Sequence, residues 1–334
     1  MAREFEEFHE ELRSVAGDVL AKDRTVEWSV LADAGWVGLE VPEQAGGAGA
    51  TFAEVAVICE EMGRAASTNS YLGSAVLAVG AVKALQPSDT RDRLLTEMAS
   101  GAVRVTVALE PFDFVPDAEG ADRILVIAND RIAEAGGTPL ASGGPTRLRG
   151  TVTVVPQPVV DETRRLAAVT ADGFEGSEVL RFDGDPKTAV RRLYDRASVA
   201  IACDSLGLSE AMLGATVVYA KVRNQFGRPI GSFQAVKHAC ADMQVTIAVA
   251  RQLVSAAVEA VAEDRPDAGV AVAMAKSYTC SAAVDIVGKA MQLHGGIGYT
   301  WESGIHVYLK RAVLNRSLFG SPAAHRKELA KRYL

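Results

Sequence analysis

Aromatic residues are scarce in this chain, cysteines are few, and basic residues are outnumbered by acids. Phe, Trp and Tyr make up only 6% of 334 residues, so small aliphatic side chains must close the core, which suits tightly packed helices. The four cysteines, Cys59, Cys203, Cys240 and Cys280, are scattered with no Cys-x-x-Cys pair. That spacing argues against a disulfide framework or a metal site and for buried free thiols in a reducing compartment. A formal charge of −7 excludes a general nucleic-acid binder but leaves room for a local basic patch that holds a phosphate. No unbroken run approaches the ~18 apolar residues of a membrane span. The first ten residues are acidic and helical, unlike a signal peptide. A cytoplasmic location is therefore expected, with neither membrane nor nucleic acid as a partner. There is no Rossmann fingerprint, no P-loop and no internal repeat.

What is present is a 49% hydrophobic chain long enough for two or three packed units. Residues 3–22 carry Phe5, Phe8, Leu12, Val15, Val19 and Leu20 at helical spacing. Further helical patterns run over 26–36, 52–65, 70–85 and 90–99, so residues 1–99 form a helical unit. The period then changes to alternation. Strands are expected at Val103–Leu109, Arg123–Ala128, Arg131–Ala135, Thr151–Val155 and Glu178–Phe182. Gly136-Gly-Thr-Pro, Ser142-Gly-Gly-Pro and Asp183-Gly-Asp-Pro punctuate them. Residues 100–186 thus read as a small antiparallel β domain. From 187 to 334 the helical period returns in four long blocks, at 188–224, 232–263, 267–293 and 301–318, as in a four-helix bundle. The fold class is α+β, mostly α.

Two stretches bear on chemistry. Arg223 ends a helix just before a tight Phe226-Gly-Arg-Pro turn, where a guanidinium could meet a phosphate bidentately, and Gln234 opens the next helix. Gln292 ends a later helix, followed by Gly295, Gly296 and Gly298, whose backbone could approach a ligand closely and expose amides to an anion. Taken singly, the first is a helix–turn–helix corner and the second a glycine C-cap. Their conjunction inside a C-terminal bundle resembles the acyl-CoA dehydrogenase family. So does the N-terminal loop Gly38-Leu-Glu-Val-Pro-Glu-Gln-Ala-Gly-Gly-Ala-Gly, and so does the helical–β–helical order across the whole chain. The resemblance implies an FAD-dependent α,β-desaturation of an acyl-CoA thioester, with an electron-transferring flavoprotein as acceptor. It also implies that Arg223, Phe226, Gln234, Gln292, Gly295 and Gly296 reach the FAD of a neighbouring subunit, the arginine on the pyrophosphate.

The chain departs from that family in two places. Many members place a catalytic glutamate after the last bundle helix, where this chain has Gly320, with Ala312 at the acidic position after the arginine. Others carry it on the first bundle helix, where Ala197 and Ser198 stand. The nearby acids Asp195, Asp204 and Glu302 remain as candidates, each equally readable as a solvated or capping carboxylate. The β domain is short and has Ala108-Leu-Glu-Pro but neither Gly-Ser-Asp nor Trp-Ile-Thr, so groups a subunit offers to its own flavin are largely missing. In this the chain is similar to the smaller subunit of actinobacterial heteromeric (α2β2) acyl-CoA dehydrogenases acting on sterol side-chain CoA thioesters. It is expected to complete the FAD site of a homologous partner that supplies the base. Two rivals stay open: a self-sufficient homo-oligomer with a displaced base, and a structural subunit without flavin.

Overall fold

The computed structural model describes residues 2–128, 131–136, 151–172 and 179–331. The N-terminal part comprises α1 (Ala2–Leu20), α2 (Trp28–Asp33), α3 (Phe52–Ala65), a π-helical turn (Leu72–Ala78) that runs into α4 (Val79–Lys83), and α5 (Asp89–Ala99). Helix α3 starts where a capping box forms. The Thr51 hydroxyl accepts from Ala53 N at 3.1 Å while Glu54 accepts from Thr51 N at 2.8 Å. Sequence periodicity extends α2 to residue 36, but the chain stops at Asp33 because Gly35 adopts φ 72° and turns it into a short 3-10 segment. Phe8, expected on the apolar stripe of α1, is exposed.

Seven strands follow among the described residues: β1 (Val105–Leu109), β2 (Val115–Pro116), β3 (Arg123–Ala128), β4 (Arg131–Gly136), β5 (Thr151–Pro156), β6 (Leu166–Asp172) and β7 (Val179–Leu180). They form two sheets, ordered β1-β3-β4-β7 and β2-β6-β5. Pairing is antiparallel except between β1 and β3, which run parallel with Val105 opposite Arg123 and Leu109 opposite Ile127. The parallel pair buries both faces of β1. Val105, Val107 and Leu109 join a helical core with Leu77 and Leu193, while Ala108 packs toward the second sheet with Ile124, Val126 and Val169. Strands β2 and β6 are additions to the strands expected from alternation. The turn signals at Gly137–Pro139 and Ser142–Pro145 and the strand start at Glu178 lie outside the described residues.

The C-terminal part is a bundle of α6 (Pro186–Val222), α7 (Gln234–Ala262), α8 (Ala268–His294) and α9 (Ile305–Ser317), with α10 (Pro322–Ala330) as a fifth helix beyond the four expected. Between α6 and α7 sits a hairpin of β8 (Asn224–Gln225) and β9 (Arg228–Pro229). Asp185 caps α6 by accepting from Thr188 N, with Pro186 at the first helical position. Helix α6 also crosses α3 at backbone contact. A Cβ on Gly63 would lie 2.0 Å from Asp204 O, and one on Gly207 1.9 Å from Glu60 O, so only glycine permits the crossing.

One expectation needs correction. Unbroken apolar runs are short, yet three helical stretches, Pro186–Val222, Gln234–Ala262 and Ala268–Tyr299, are long and apolar enough by length and composition to cross a membrane. Abundant alanine and valine raise the average of each without making a continuous run. The first and third stretches turn most of that character into the bundle interior, whereas α7 leaves most of its own exposed. Cys59, Cys203 and Cys280 are buried free thiols, and no cluster of metal-ligating side chains occurs among the described residues.

Candidate functional site

Two separate places are candidates for a functional site. The first is the end of the bundle where α6 and α8 both finish. The Tyr219 ring stacks on His294 with centroids 4.4 Å apart, and its hydroxyl donates to His294 O at 3.2 Å. This contact brings the Arg223 corner beside the Gln292–Gly296 loop. Arg223 closes α6, and its carbonyl accepts from Ile230 N at 2.8 Å, which ties down the hairpin leading to Gln234. The hairpin turn is Phe226-Gly227, with φ 54° and 76°, the pair of left-handed residues that a two-residue type I′ turn requires.

A phenylalanine held at positive φ is unusual and costs on the order of 1 kcal/mol. Its side chain recovers little, since Phe226 is 90% exposed and, among the described residues, its ring meets Phe233 edge-on with centroids 6.2 Å apart. Gln234, Gln292, Gly295 and Gly296 are likewise exposed, as are Tyr299 and Trp301 just beyond. All six residues expected to reach a flavin thus lie on one open surface rather than in a pocket.

That surface fits an anionic, ring-bearing cofactor. The Arg223 guanidinium has no ion-pair partner among the described residues. Helix α7, 29 residues long, starts at Gln234 with no side chain capping its first amides, so the positive end of its dipole is open beside Arg223 and Arg228. Gly296 has nothing within 4 Å of where a Cβ would stand, leaving its backbone approachable. Gln292 accepts from Lys289 Nζ at 3.2 Å, which adds a further cation nearby.

The second place is a cavity of about 370 Å³ between the first sheet, the start of α6 and the end of α9. Leu77, Val107, Leu109, Tyr194, Leu314 and Phe319 supply much of its wall. Tyr194 donates to Glu110 O at 2.6 Å and meets Phe319 edge-on at 6.3 Å. Leu318 and Phe319, not Gly320, are the side chains that the corner after α9 offers to the cavity. Gly320 has φ 100°, and a Cβ there would lie 2.8 Å from His325 Nε2, so the corner is shaped for glycine. The buried ammonium of Lys276 holds this corner, donating to Asn315 O at 2.9 Å and Gly320 O at 3.0 Å. Burial lowers its pKa. Ala197 is fully buried in the adjoining core and carries no functional group.

None of the candidate bases reaches the cavity. Asp195 follows Tyr194 but points to a different, polar cleft, where it pairs with Arg191 at 3.2 Å. Burial raises its pKa, against the pull of Arg191. Asp204 is enclosed, accepting from Arg311 Nε at 2.9 Å, from Asn315 at 2.7 Å and pairing with Arg164 at 3.0 Å. Burial would raise its pKa, but Arg311 and Arg164 outweigh it and hold the carboxyl below its usual range. Arg311 also donates to Thr163 at 2.6 Å and Ser67 O at 2.9 Å, so this network fastens the β region and the end of α3 to the bundle. Its role is structural. Glu302 is exposed beyond the glycine loop, its pKa lowered by its own backbone amide and the Thr300 hydroxyl. The carboxylates at the cavity rim, Glu110 and Asp113, are exposed, and Asp113 accepts from Gln157 at 3.2 Å. Sequence reasoning missed the Tyr194–Phe319 cavity and the Arg311 network; neither leaves a local motif.

Comparison with known proteins supplies the family. Residues 1–102 match the acyl-CoA dehydrogenase N-terminal domain and residues 188–334 the acyl-CoA dehydrogenase C-terminal domain. Acyl-CoA dehydrogenase IpdE2 of Mycobacterium tuberculosis is 35% identical over 307 residues, covering 91% of this chain and 86% of the relative. Among solved structures, the Tcur3481–Tcur3483 steroid acyl-CoA dehydrogenase superposes with a TM-score of 0.83 at 25% identity, covering 97% of both chains. The ChsE4–ChsE5 complex of Mycobacterium tuberculosis superposes with a TM-score of 0.81 at 22% identity, covering 97% of this chain and 96% of its counterpart.

Proposed function

Because the chain belongs to the acyl-CoA dehydrogenase family, FAD-dependent oxidoreductases acting on CH–CH bonds, we propose that it is the subunit that completes a partner's FAD site. The reaction is α,β-desaturation of an acyl-CoA thioester, and FAD supplies the hydride acceptor. This chain's part is binding and orientation. Arg223 and the open start of α7 hold the pyrophosphate, Phe226 covers an apolar part of the cofactor, and Gln292 with the Gly295–Gly296 backbone holds its far end. The α-proton goes to a carboxylate on the partner.

One observation carries this reading: the six residues expected to meet the cofactor sit on an exposed surface, while the cavity lies elsewhere and, among the described residues, the two acids that line it, Glu110 and Asp113, are exposed. Helix α7, apolar along its length yet exposing Val245 and Val249, gives such a partner a face to cover. Likeness to IpdE2 and to a two-protein steroid acyl-CoA dehydrogenase supports a steroid-derived CoA thioester as substrate. An electron-transferring flavoprotein serves as the next acceptor.

The test is to purify the chain alone and with a longer homologue that keeps the glutamate. Each preparation is then measured for bound FAD and for enoyl-CoA formation with an artificial acceptor. Flavin and turnover should appear only in the complex. Full FAD occupancy and turnover by the lone chain would overturn the proposal.

A further inference from the structure

Residues 211–241 hold no aspartate or glutamate, although acids outnumber bases over the chain as a whole. The same stretch carries Lys221, Arg223, Arg228 and Lys237, and it folds into the end of α6, the β8–β9 hairpin and the start of α7. Arg223 is already assigned to the pyrophosphate. Arg228, the second guanidinium of this corner, has as yet no part.

The hairpin fixes how the two arginines stand to each other. Gln225 lies opposite Arg228, and Ile230 N donates to Arg223 O at 2.8 Å, which puts Ile230 opposite Arg223. Arg223 and Arg228 are therefore diagonal neighbours, roughly 7–8 Å apart along the backbone, with side chains on one face of the hairpin. Two like charges at that spacing repel, and neither has an ion-pair partner among the described residues. Arg228 is nevertheless held in place. Its Cζ sits over the ring of Phe233, 4.2 Å from the centroid. Phe233 immediately precedes α7, so the guanidinium is fixed beside the first turn of that helix, which contains no acid. A guanidinium stacked on a ring keeps the donors at its edge free for an oxyanion. One phosphate would have to be shared between the two arginines, whereas a diphosphate offers a charged group to each.

We propose that Arg228 is a second binding residue for the cofactor's diphosphate, taking one phosphate while Arg223 takes the other, and that the pair makes this surface select a flavin dinucleotide over a mononucleotide. The assignment rests on the flavin reading of the surface and adds to it a residue and a selectivity. Arg228 binds and orients, and takes no part in proton or hydride transfer. A purely structural Arg228, there to pack on Phe233, is a different case: methionine would replace it, because a thioether packs on an aromatic ring without a charge.

The experiment titrates FAD, FMN and ADP into the flavin-free complex of this chain with the longer homologue, as wild type and with Arg228→Met, Arg228→Lys or Arg223→Met. Circular dichroism and the mass of the complex check that each variant folds and assembles. Arg228→Met should weaken both FAD and ADP at least about tenfold, and the preference for FAD over FMN should shrink by a similar factor. Arg228→Lys keeps a cation but loses the planar fork, and should fall between wild type and Arg228→Met. If Arg228→Met binds FAD as the wild type does while Arg223→Met does not, the proposal is overturned and the proposed function stands. Equal weakening of FAD and FMN by Arg228→Met assigns the residue to the support of Phe233 and also overturns the proposal. FAD binding that neither Arg223→Met nor Arg228→Met disturbs removes the flavin from this surface, and overturns the proposed function as well.

Discussion

Replacing Asp117 by Asn should change the pH dependence of stability by a calculable amount. Asp117 is buried at the seam between the β region and the π-helical turn, where its carboxylate accepts from Gly73 N at 2.8 Å. Burial pushes the carboxyl up to about 6, against the pull of the Gly73 amide and the Arg164 guanidinium. In the unfolded chain an aspartate titrates near ~3.9. The folded state therefore binds this proton more tightly. The stability it contributes is fully present below about pH 4 and is lost as pH rises through about 6. Two pKa values that far apart correspond to about 3 kcal/mol.

Asparagine keeps an oxygen for Gly73 N and tolerates the φ of 58° at this position, but does not titrate. Its amide hydrogens add a constant offset only. Urea unfolding of both proteins across about pH 4 to about pH 7.5 isolates the effect, because all other groups cancel in the difference. Variant minus wild-type stability should climb by about 2.5 kcal/mol over that range, the rest of the effect lying below about pH 4. A difference that stays flat within about 0.5 kcal/mol would show that the wild-type carboxyl titrates as it does in the unfolded chain, and would refute the reasoning.

Three further outcomes follow from single contacts. Asp204→Ala leaves the buried Arg311 guanidinium without its carboxylate and should cost about 3–5 kcal/mol in urea unfolding; a loss under about 1 kcal/mol would mean that the network holds little of the fold. Phe226→Gly relieves the left-handed strain at φ 54° and should raise the unfolding free energy by about 1 kcal/mol, while flavin retention by the partner complex falls. Gly320→Ala combines φ 100° with a Cβ 2.8 Å from His325 Nε2. It should lower stability by more than about 1 kcal/mol, and an unchanged melting temperature would show that the corner relaxes freely.

What the sequence revealed and what it hid divide along physical lines. The helices were legible because their signals are local: Thr51 with Glu54 starts α3, and Asp185 with Pro186 starts α6. Helix α10 has the same kind of start in Ser321 and Pro322, but its apolar face is too small to register as a fifth block. The parallel pairing of β1 with β3 has no local signal at all, because alternation along a strand says nothing about its neighbour's direction. The same distinction governs the sites. Arg223 and Phe226 lie in one short run, and Gln292, Gly295 and Gly296 in another, so their joint presence could be read before it was known that Tyr219 and His294 bring the runs together. Asp204 and Arg311 are separated by 107 positions, and each is unremarkable where it stands. Only the fold turns Asp204 from a candidate base into a caged structural anion, and only the fold brings Phe319 into the cavity wall. The exposed surface proposed to meet a cofactor is therefore easier to read from this sequence than the cavity. Its residues come outward from two short runs, whereas the cavity recruits them from elements far apart.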